Sequence, residues 1–192
     1  IRKIFFKQKY VKKQDFYNVN TEGTRRLAQI ASYQGCTRFL FVSSLSARTP
    51  SLSHYGSSKK RAEDVLAGIP ALAWDALRPP AVYGPEDTQF LALLKMVAGG
   101  RVFLPAGRQA KASLIYVDDL AAAMVLWAKS GKAEGKIYEL DDGTKGGYLW
   151  QDVVGVVAQT LGTKPRVIVP PKVALRVLSY VSLLSGVLRR KP

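Results

Sequence analysis

Cysteine is nearly missing from these 192 residues: Cys36 stands alone, so no disulfide framework can form within the chain. That usage fits a reducing compartment, and Cys36, at the head of an apolar segment, is expected to be a small buried residue. Long hydrophobic runs are missing too. No segment has the roughly 20 apolar residues that span a bilayer. The longest apolar stretch, Val173 to Leu188, is broken by Arg176 and reads as a buried or interfacial amphipathic helix. The basic first residues are followed by no small-residue cleavage site, so no signal peptide is expected. A cytoplasmic protein follows, with peripheral contact to a membrane surface left open.

Acidic residues are scarce, 14 against 29 lysines and arginines, for a net charge of +15. Such an excess can serve nucleic acid, an acidic membrane surface or phosphate-bearing ligands. The cations are scattered, except for Arg2, Lys3, Lys7, Lys9, Lys12 and Lys13 near one end and Arg189-Arg190-Lys191 at the other. Neither cluster lies in a nucleic-acid motif. No nucleic-acid partner and no metal site are expected.

What is present is a globular composition, 47% hydrophobic and 10% aromatic, long enough for one sizeable core or one domain with an appendage. Residues 1–17 show no clear periodicity. Asn20-Thr21-Glu22-Gly23-Thr24 is expected to open a helix that turns Leu27, Ile30 and Ala31 to one face and stops at Gly35. Strands are expected around CTRFLFVSS, ALAWDAL, RVFLP, KIYEL and PRVIV, and helices at FLALLKMVAG, LWQDVVGVVAQTLG and from Pro171 onward. Asp118-Asp119 can cap a helix carrying Leu120, Met124 and Trp127 inward. Strand and helix alternate, which argues a parallel or mixed sheet with helices on its faces. Gly143-Thr144-Lys145-Gly146-Gly147 lies between a strand and a helix but lacks phosphate-loop spacing, so Lys145 is read as a solvated loop residue.

Chemistry is expected in FLFVSSLSARTPSLSHYGSSKK, residues 39–60. An apolar strand ends in Ser43-Ser44, a polar loop follows, and Tyr55 and Lys59 stand four apart at the start of a helix. Positions i and i+4 share a helix face, so a phenol and an ammonium lie side by side. A free phenol shuttles protons poorly at neutral pH, and an adjacent ammonium favours the phenolate. A serine hydroxyl from the strand end can hold a substrate oxygen in the same pocket. In open α/β sheets ligands sit beyond the carboxyl ends of strands, which places Ser44 and the Pro79-Pro80 turn at one rim.

Five segments in order resemble the extended short-chain dehydrogenase/reductase family, which includes nucleotide-sugar epimerases and dehydratases and 3β-hydroxysteroid dehydrogenase-like reductases. NTEGTRRLAQIA resembles its Asn-Val-x-Gly-Thr helix, FVSSLSA its serine strand and HYGSSKKRAE its Tyr-x-x-x-Lys helix. LRPPAVYGPED resembles its Arg-Pro-x-x-Val-Tyr-Gly-Pro loop and LIYVDDLAAA its Tyr-Val-Asp-Asp-Leu-Ala segment. The resemblance runs from about residue 18 to residue 140. It implies an α/β fold, a Rossmann-like doubly wound parallel sheet with its N-terminal part missing, and a small C-terminal substrate domain. Residues 1–80 would be the second half of the dinucleotide domain. Residues 81–192 would be mainly substrate-binding, with 113–130 returning to the Rossmann part.

By the same resemblance Tyr55 is the general acid/base, Lys59 hydrogen-bonds the nicotinamide ribose, and Ser44 holds the reacting oxygen. Asn20, Pro80 and Val82 join Tyr55 and Lys59 in touching NAD or NADP, although Asn20 also suits a helix cap and Pro80 a plain loop former. The family's Gly-x-x-Gly-x-x-Gly turn is not found in this sequence, so the chain is expected to be a fragment.

The expected function is an NAD(P)-dependent oxidoreductase of a secondary alcohol or ketone. The alternatives are a nucleotide-sugar epimerase or dehydratase, and a non-catalytic binding subunit that keeps the fold. Sugar-nucleotide members carry an Arg before the Tyr-Val-Asp-Asp segment, where this chain has Lys111-Ala112-Ser113-Leu114. That difference and the apolar stretch from Val173 favour a hydrophobic, sterol-like or acyl small-molecule substrate, with Arg108 and Lys111 remaining candidates for the missing Arg. The resemblance also implies pairing through the helices near Thr21 and Tyr55, which would give a homodimer.

Overall fold

The structure is a computed structural model that describes residues 12–171. The expected helix from Pro171, the apolar stretch Val173 to Leu188 and most of the two basic clusters lie outside the described residues. The chain forms two compact units. The first joins the residues up to Val82 with Leu114–Gly143, a longer returning span than the expected 113–130. The second joins Tyr83–Ser113 with the chain from Thr144 on.

In the first unit, β1 (Arg38–Val42), β2 (Ala73–Arg78) and β7 (Ile137–Glu139) form a parallel sheet in the order β1-β2-β7. Parallel neighbours need a crossover, and α3 (His54–Ala67) supplies it between β1 and β2. Strand side chains alternate between the two faces. Phe39, Phe41, Trp74 and Ala76 pack with Ala28, Ala62, Leu66, Leu72 and Ile69 on one side. Leu40 and Leu77 pack with Val82, Ile115, Leu120 and Leu140 on the other. Both faces of the sheet are therefore covered, as a parallel sheet requires. Strand β6 (Leu114–Tyr116) pairs with β3 (Ala81–Tyr83) and leads into α5 (Val117–Ser130).

The first helix begins earlier than Asn20. Residues Lys13–Phe16 form α1, Tyr17–Gly23 continue as a wider π-helical stretch, and Thr24–Tyr33 form α2. Its buried positions are Thr21, Thr24 and Ala28, while Leu27 and Ile30 are each 59% exposed. The face bearing Leu27 and Ile30 is not the one that packs: the helix is seated by its small residues, which allow α2 close to α3. Gly35 does end the helix, with φ 76°. Cys36 is exposed, against expectation, because it lies in the turn before β1 begins at Arg38. Asp118 and Asp119 lie in the first turn of α5, whose N-cap is Tyr116. They face the positive end of the helix dipole without capping it. On α5, Leu120 is buried and Trp127 donates its indole N–H to Asp75, but Met124 is exposed.

The second unit contains α4 (Thr88–Ala98), β4 (Arg101–Phe103), β5 (Lys111–Ala112), β8 (Tyr148–Leu149), α6 (Trp150–Thr160) and β9 (Arg166–Ile168). Strand β4 runs parallel to β9 and β5 antiparallel to β8. Leu93, Val97, Val102, Val153, Val154 and Val157 are buried in this unit. Asp87 caps α4 by accepting from the Gln89 amide at 2.8 Å. The glycine turn at 143–147 leads into β8. A side chain at Gly147, which has φ 67°, would press on the Ala112 carbonyl, and that close approach explains the residue.

Candidate functional site

Past the end of β1 the parallel pairing carries on for three residues. The Ser43 amide donates to the Leu77 carbonyl at 2.8 Å and the Leu45 amide to the Pro79 carbonyl at 2.9 Å. The two strand ends, with Ser44 on one and Pro79-Pro80 on the other, thus form one rim. Ser44 is buried and extended, and its Oγ accepts from the Ser46 amide at 3.2 Å, which starts the 3₁₀ turn Leu45–Arg48. Its own hydroxyl hydrogen is left to donate elsewhere.

Ser53 caps α3 by accepting from the Gly56 amide at 2.9 Å. The cap fixes the first turn, and Tyr55 follows two residues later. Tyr55 is 37% exposed and meets the Phe16 ring edge-on, with centroids 6.0 Å apart. Neighbouring His54 meets Tyr17 in the same manner at 6.3 Å. Aromatic side chains of the first helix thus line the entrance to α3.

One turn on, the Lys59 ammonium donates to the Val42 carbonyl at 2.9 Å and lies over the Phe41 ring at 4.9 Å. Burial lowers its pKa, against a smaller upward pull from the Glu63 carboxylate. Of its three donors one is used, leaving two for a ligand.

Asn20 lies within the π-helical stretch and not at a helix cap. Its amide donates to Ser58 Oγ at 3.0 Å, and Ser58 Oγ donates to the Tyr55 carbonyl at 2.8 Å. Thr21 Oγ1 also donates to the Ser58 carbonyl, at 3.0 Å. Asn20 is thus tied to the backbone of Tyr55, because the wider turn brings two polar side chains onto α3. Pro80 is half-buried at the rim, while the Val82 side chain packs against the core beneath it.

Three groups at the rim were not foreseen: Ser43, Glu63 and Arg78. Ser43 Oγ donates to Glu63 Oε1 at 2.5 Å, and Arg78 pairs with the same carboxylate at 2.6 Å. The spacing Tyr55, Lys59, Glu63 continues one face of α3, and that signal was available. Arg78 stands directly before Pro79-Pro80. Among the described residues no group of three or more His, Cys, Asp and Glu could hold a metal ion.

The donors gathered here, two spare N–H groups on Lys59, a buried serine hydroxyl and an exposed phenol, are of a chemistry that suits the polar groups of a nicotinamide cofactor.

Residues 6–140 match the NAD dependent epimerase/dehydratase family. The chain is 37% identical over 153 residues to a ceramide reductase of Caulobacter vibrioides, covering 80% of this chain and 47% of that protein. It is 32% identical over 152 residues to a UDP-glucose 4-epimerase of Vibrio cholerae, covering 67% of this chain and 45% of that protein. A UDP-glucose 4-epimerase of Thermus thermophilus, solved with NAD, has the same fold, with a TM-score of 0.66 at 24% identity over 81% of this chain and 58% of that one. The chain spans about half the length of the curated relatives it matches. With a parallel Rossmann-like sheet, a serine strand end and a family match over more than half its length, the chain belongs to the NAD-dependent epimerase/dehydratase family.

Proposed function

We propose that the protein containing this chain is an NAD- or NADP-dependent oxidoreductase acting on a secondary alcohol or ketone through Ser44, Tyr55 and Lys59. The observation that carries the reading is the seating of Lys59: a half-buried ammonium held at the β1 rim, on the same helix face as Tyr55. A nicotinamide cofactor, when bound, supplies hydride exchange with the substrate carbon. Asn20, Pro80 and Val82, with Tyr55 and Lys59, belong to its side of the site in this reading.

The remaining work falls to the side chains. In the oxidative direction the Tyr55 phenolate takes the hydroxyl proton, and in reduction its hydroxyl returns that proton to the carbonyl oxygen. Lys59, one turn further along the same face of α3, keeps two N–H groups free to hold the cofactor side of the site. Ser44, whose Oγ already accepts from Ser46, donates its hydrogen to the reacting oxygen and holds it in place.

The substrate we favour is hydrophobic, such as a sterol-like or acyl compound. The ceramide reductase relative supports this, as do Lys111-Ala112-Ser113-Leu114 in place of an Arg-bearing stretch and the apolar residues from Val173. Nucleotide-sugar epimerisation with NAD is the second reading, favoured by the epimerase relative. Residues up to Val82, with Leu114–Gly143, would serve the dinucleotide, and Tyr83–Ser113 with the chain from Thr144 on mainly the substrate.

The protein would act in the cytoplasm; no helix among the described residues is long and apolar enough to cross a membrane. Two copies would pair through the helices near Thr21 and Tyr55, where Leu27 and Ile30 of α2 are exposed.

Tyr55→Phe in the full-length protein tests the reading. It should abolish turnover of ketone and sugar-nucleotide substrates alike while cofactor affinity stays close to wild type. Full turnover in that variant would sink the assignment.

A further inference from the structure

We propose that Glu63 is a positioning residue of this site, locking the serine end of β1 and Arg78 of β2 onto the helix that carries Tyr55 and Lys59. The inference rests on the Ser44–Tyr55–Lys59 reading. Glu63 follows Lys59 by one helical turn on the same face of α3 and is 1% exposed. Its two oxygens take three hydrogen bonds from two strands: Ser43 Oγ at 2.5 Å, Arg78 Nε at 2.9 Å and Arg78 Nη2 at 2.6 Å.

Each donor sits beside a rim residue. Ser43 precedes Ser44, and Arg78 precedes Pro79, whose carbonyl holds the Leu45 amide. The network continues outward, with Arg78 Nη1 reaching Glu139 of β7 at 3.4 Å and Arg48 Nη2 reaching the same carboxylate at 2.7 Å. All three strands of the sheet, and the turn that follows Ser44, are thereby registered to one carboxylate on α3.

A buried ion pair is weak evidence for stability, because desolvation offsets its Coulomb attraction. Its value here lies in placement. The groups facing Glu63 are Ser43 just past β1, Arg78 from β2 and Lys59 on its own helix, and Glu139 and Arg48 continue the network beyond Arg78. The Glu63 charge also works against the burial that lowers the Lys59 pKa.

The test compares full-length wild type with Glu63→Gln and with the double variant Glu63→Met/Arg78→Met. The double variant replaces the pair by apolar side chains of similar size, which a purely structural pair tolerates. Three quantities are read: thermal unfolding, the Lys59 titration midpoint from ¹³Cε-labelled lysine NMR (assigned by its loss in Lys59→Met), and kcat and KM across pH.

The proposal expects a folded double variant whose Lys59 midpoint moves down and whose kcat falls about tenfold or more, with KM little changed. Glu63→Gln should show the same shift, and it decides the matter if the double variant does not fold. Wild-type midpoint and wild-type kcat in a folded variant overturn the proposal. If wild type itself turns over no substrate, the oxidoreductase reading fails and the proposal falls with it, whereas wild-type kcat in folded variants of an active wild type overturns the proposal alone.

Discussion

Gly56 of α3 lies directly against the carbonyl oxygen of Ser46, so close that any Cβ at position 56 would collide with it and approach the Ser46 carbonyl carbon to 3.1 Å. The glycine lets the first turn of α3 settle onto the turn that follows Ser44, and so brings Tyr55 and Ser44 into one rim. In a free helix Gly→Ala would stabilise by up to about 1 kcal/mol. Here steric overlap with fixed backbone outweighs propensity, because neither the 3₁₀ turn nor the capped helix can yield cheaply. Gly56→Ala should therefore cost about 1–3 kcal/mol in denaturant unfolding. A stabilised variant would show that the helix can slide and that the contact is not a constraint.

Lys59 gives a pH signature that needs no substrate. Burial lowers its pKa from the ordinary 10.5, so the unfolded chain binds more protons than the folded one between the lowered midpoint and 10.5. Stability therefore rises with pH across that window, and the penalty is fully present below it. The stability of wild type relative to Lys59→Met should improve as pH climbs through the window. Urea unfolding of both proteins at a series of pH values measures it, and a flat difference would mean that the ammonium is solvated.

Asp75 in β2 is 2% exposed and accepts three hydrogen bonds: Trp127 Nε1 at 2.8 Å, the Glu134 amide at 3.1 Å and the Lys136 amide at 2.7 Å. Oδ1 serves both amides and Oδ2 the indole. An asparagine in its place could satisfy the amides but would turn its own NH₂ toward the indole donor. Asp75→Asn should cost about 1.5–3 kcal/mol, and Trp127→Phe in that background should recover part of the loss. Strict additivity in the double-mutant cycle would show that the two residues do not interact.

Much of the fold could be read from the chain. The apolar run Phe39-Leu40-Phe41-Val42 predicted the strand β1, and the paired prolines after Arg78 marked the end of β2 at the rim. The weaker readings failed where packing overrode local pattern. Leu27 and Ile30 form the apolar face that the sequence shows, yet Thr24 and Ala28 are the buried positions because a close helix contact needs small side chains. Asn20 looked like a helix start, yet the helix begins at Lys13, since a π-helical turn leaves no mark in short-range propensity.

The sequence by itself determined the candidate set of Ser44, Tyr55 and Lys59, because strand endings and the four-residue helix repeat are local properties written in consecutive residues. Only the tertiary structure decided what surrounds that set. Ser43, Glu63 and Arg78 are separated along the chain by 20 and 15 residues, and no local pattern relates a serine, a carboxylate and a guanidinium on three elements. They meet because the parallel crossover lays α3 across the ends of β1 and β2, where a buried carboxylate requires donors and the two strand ends supply them.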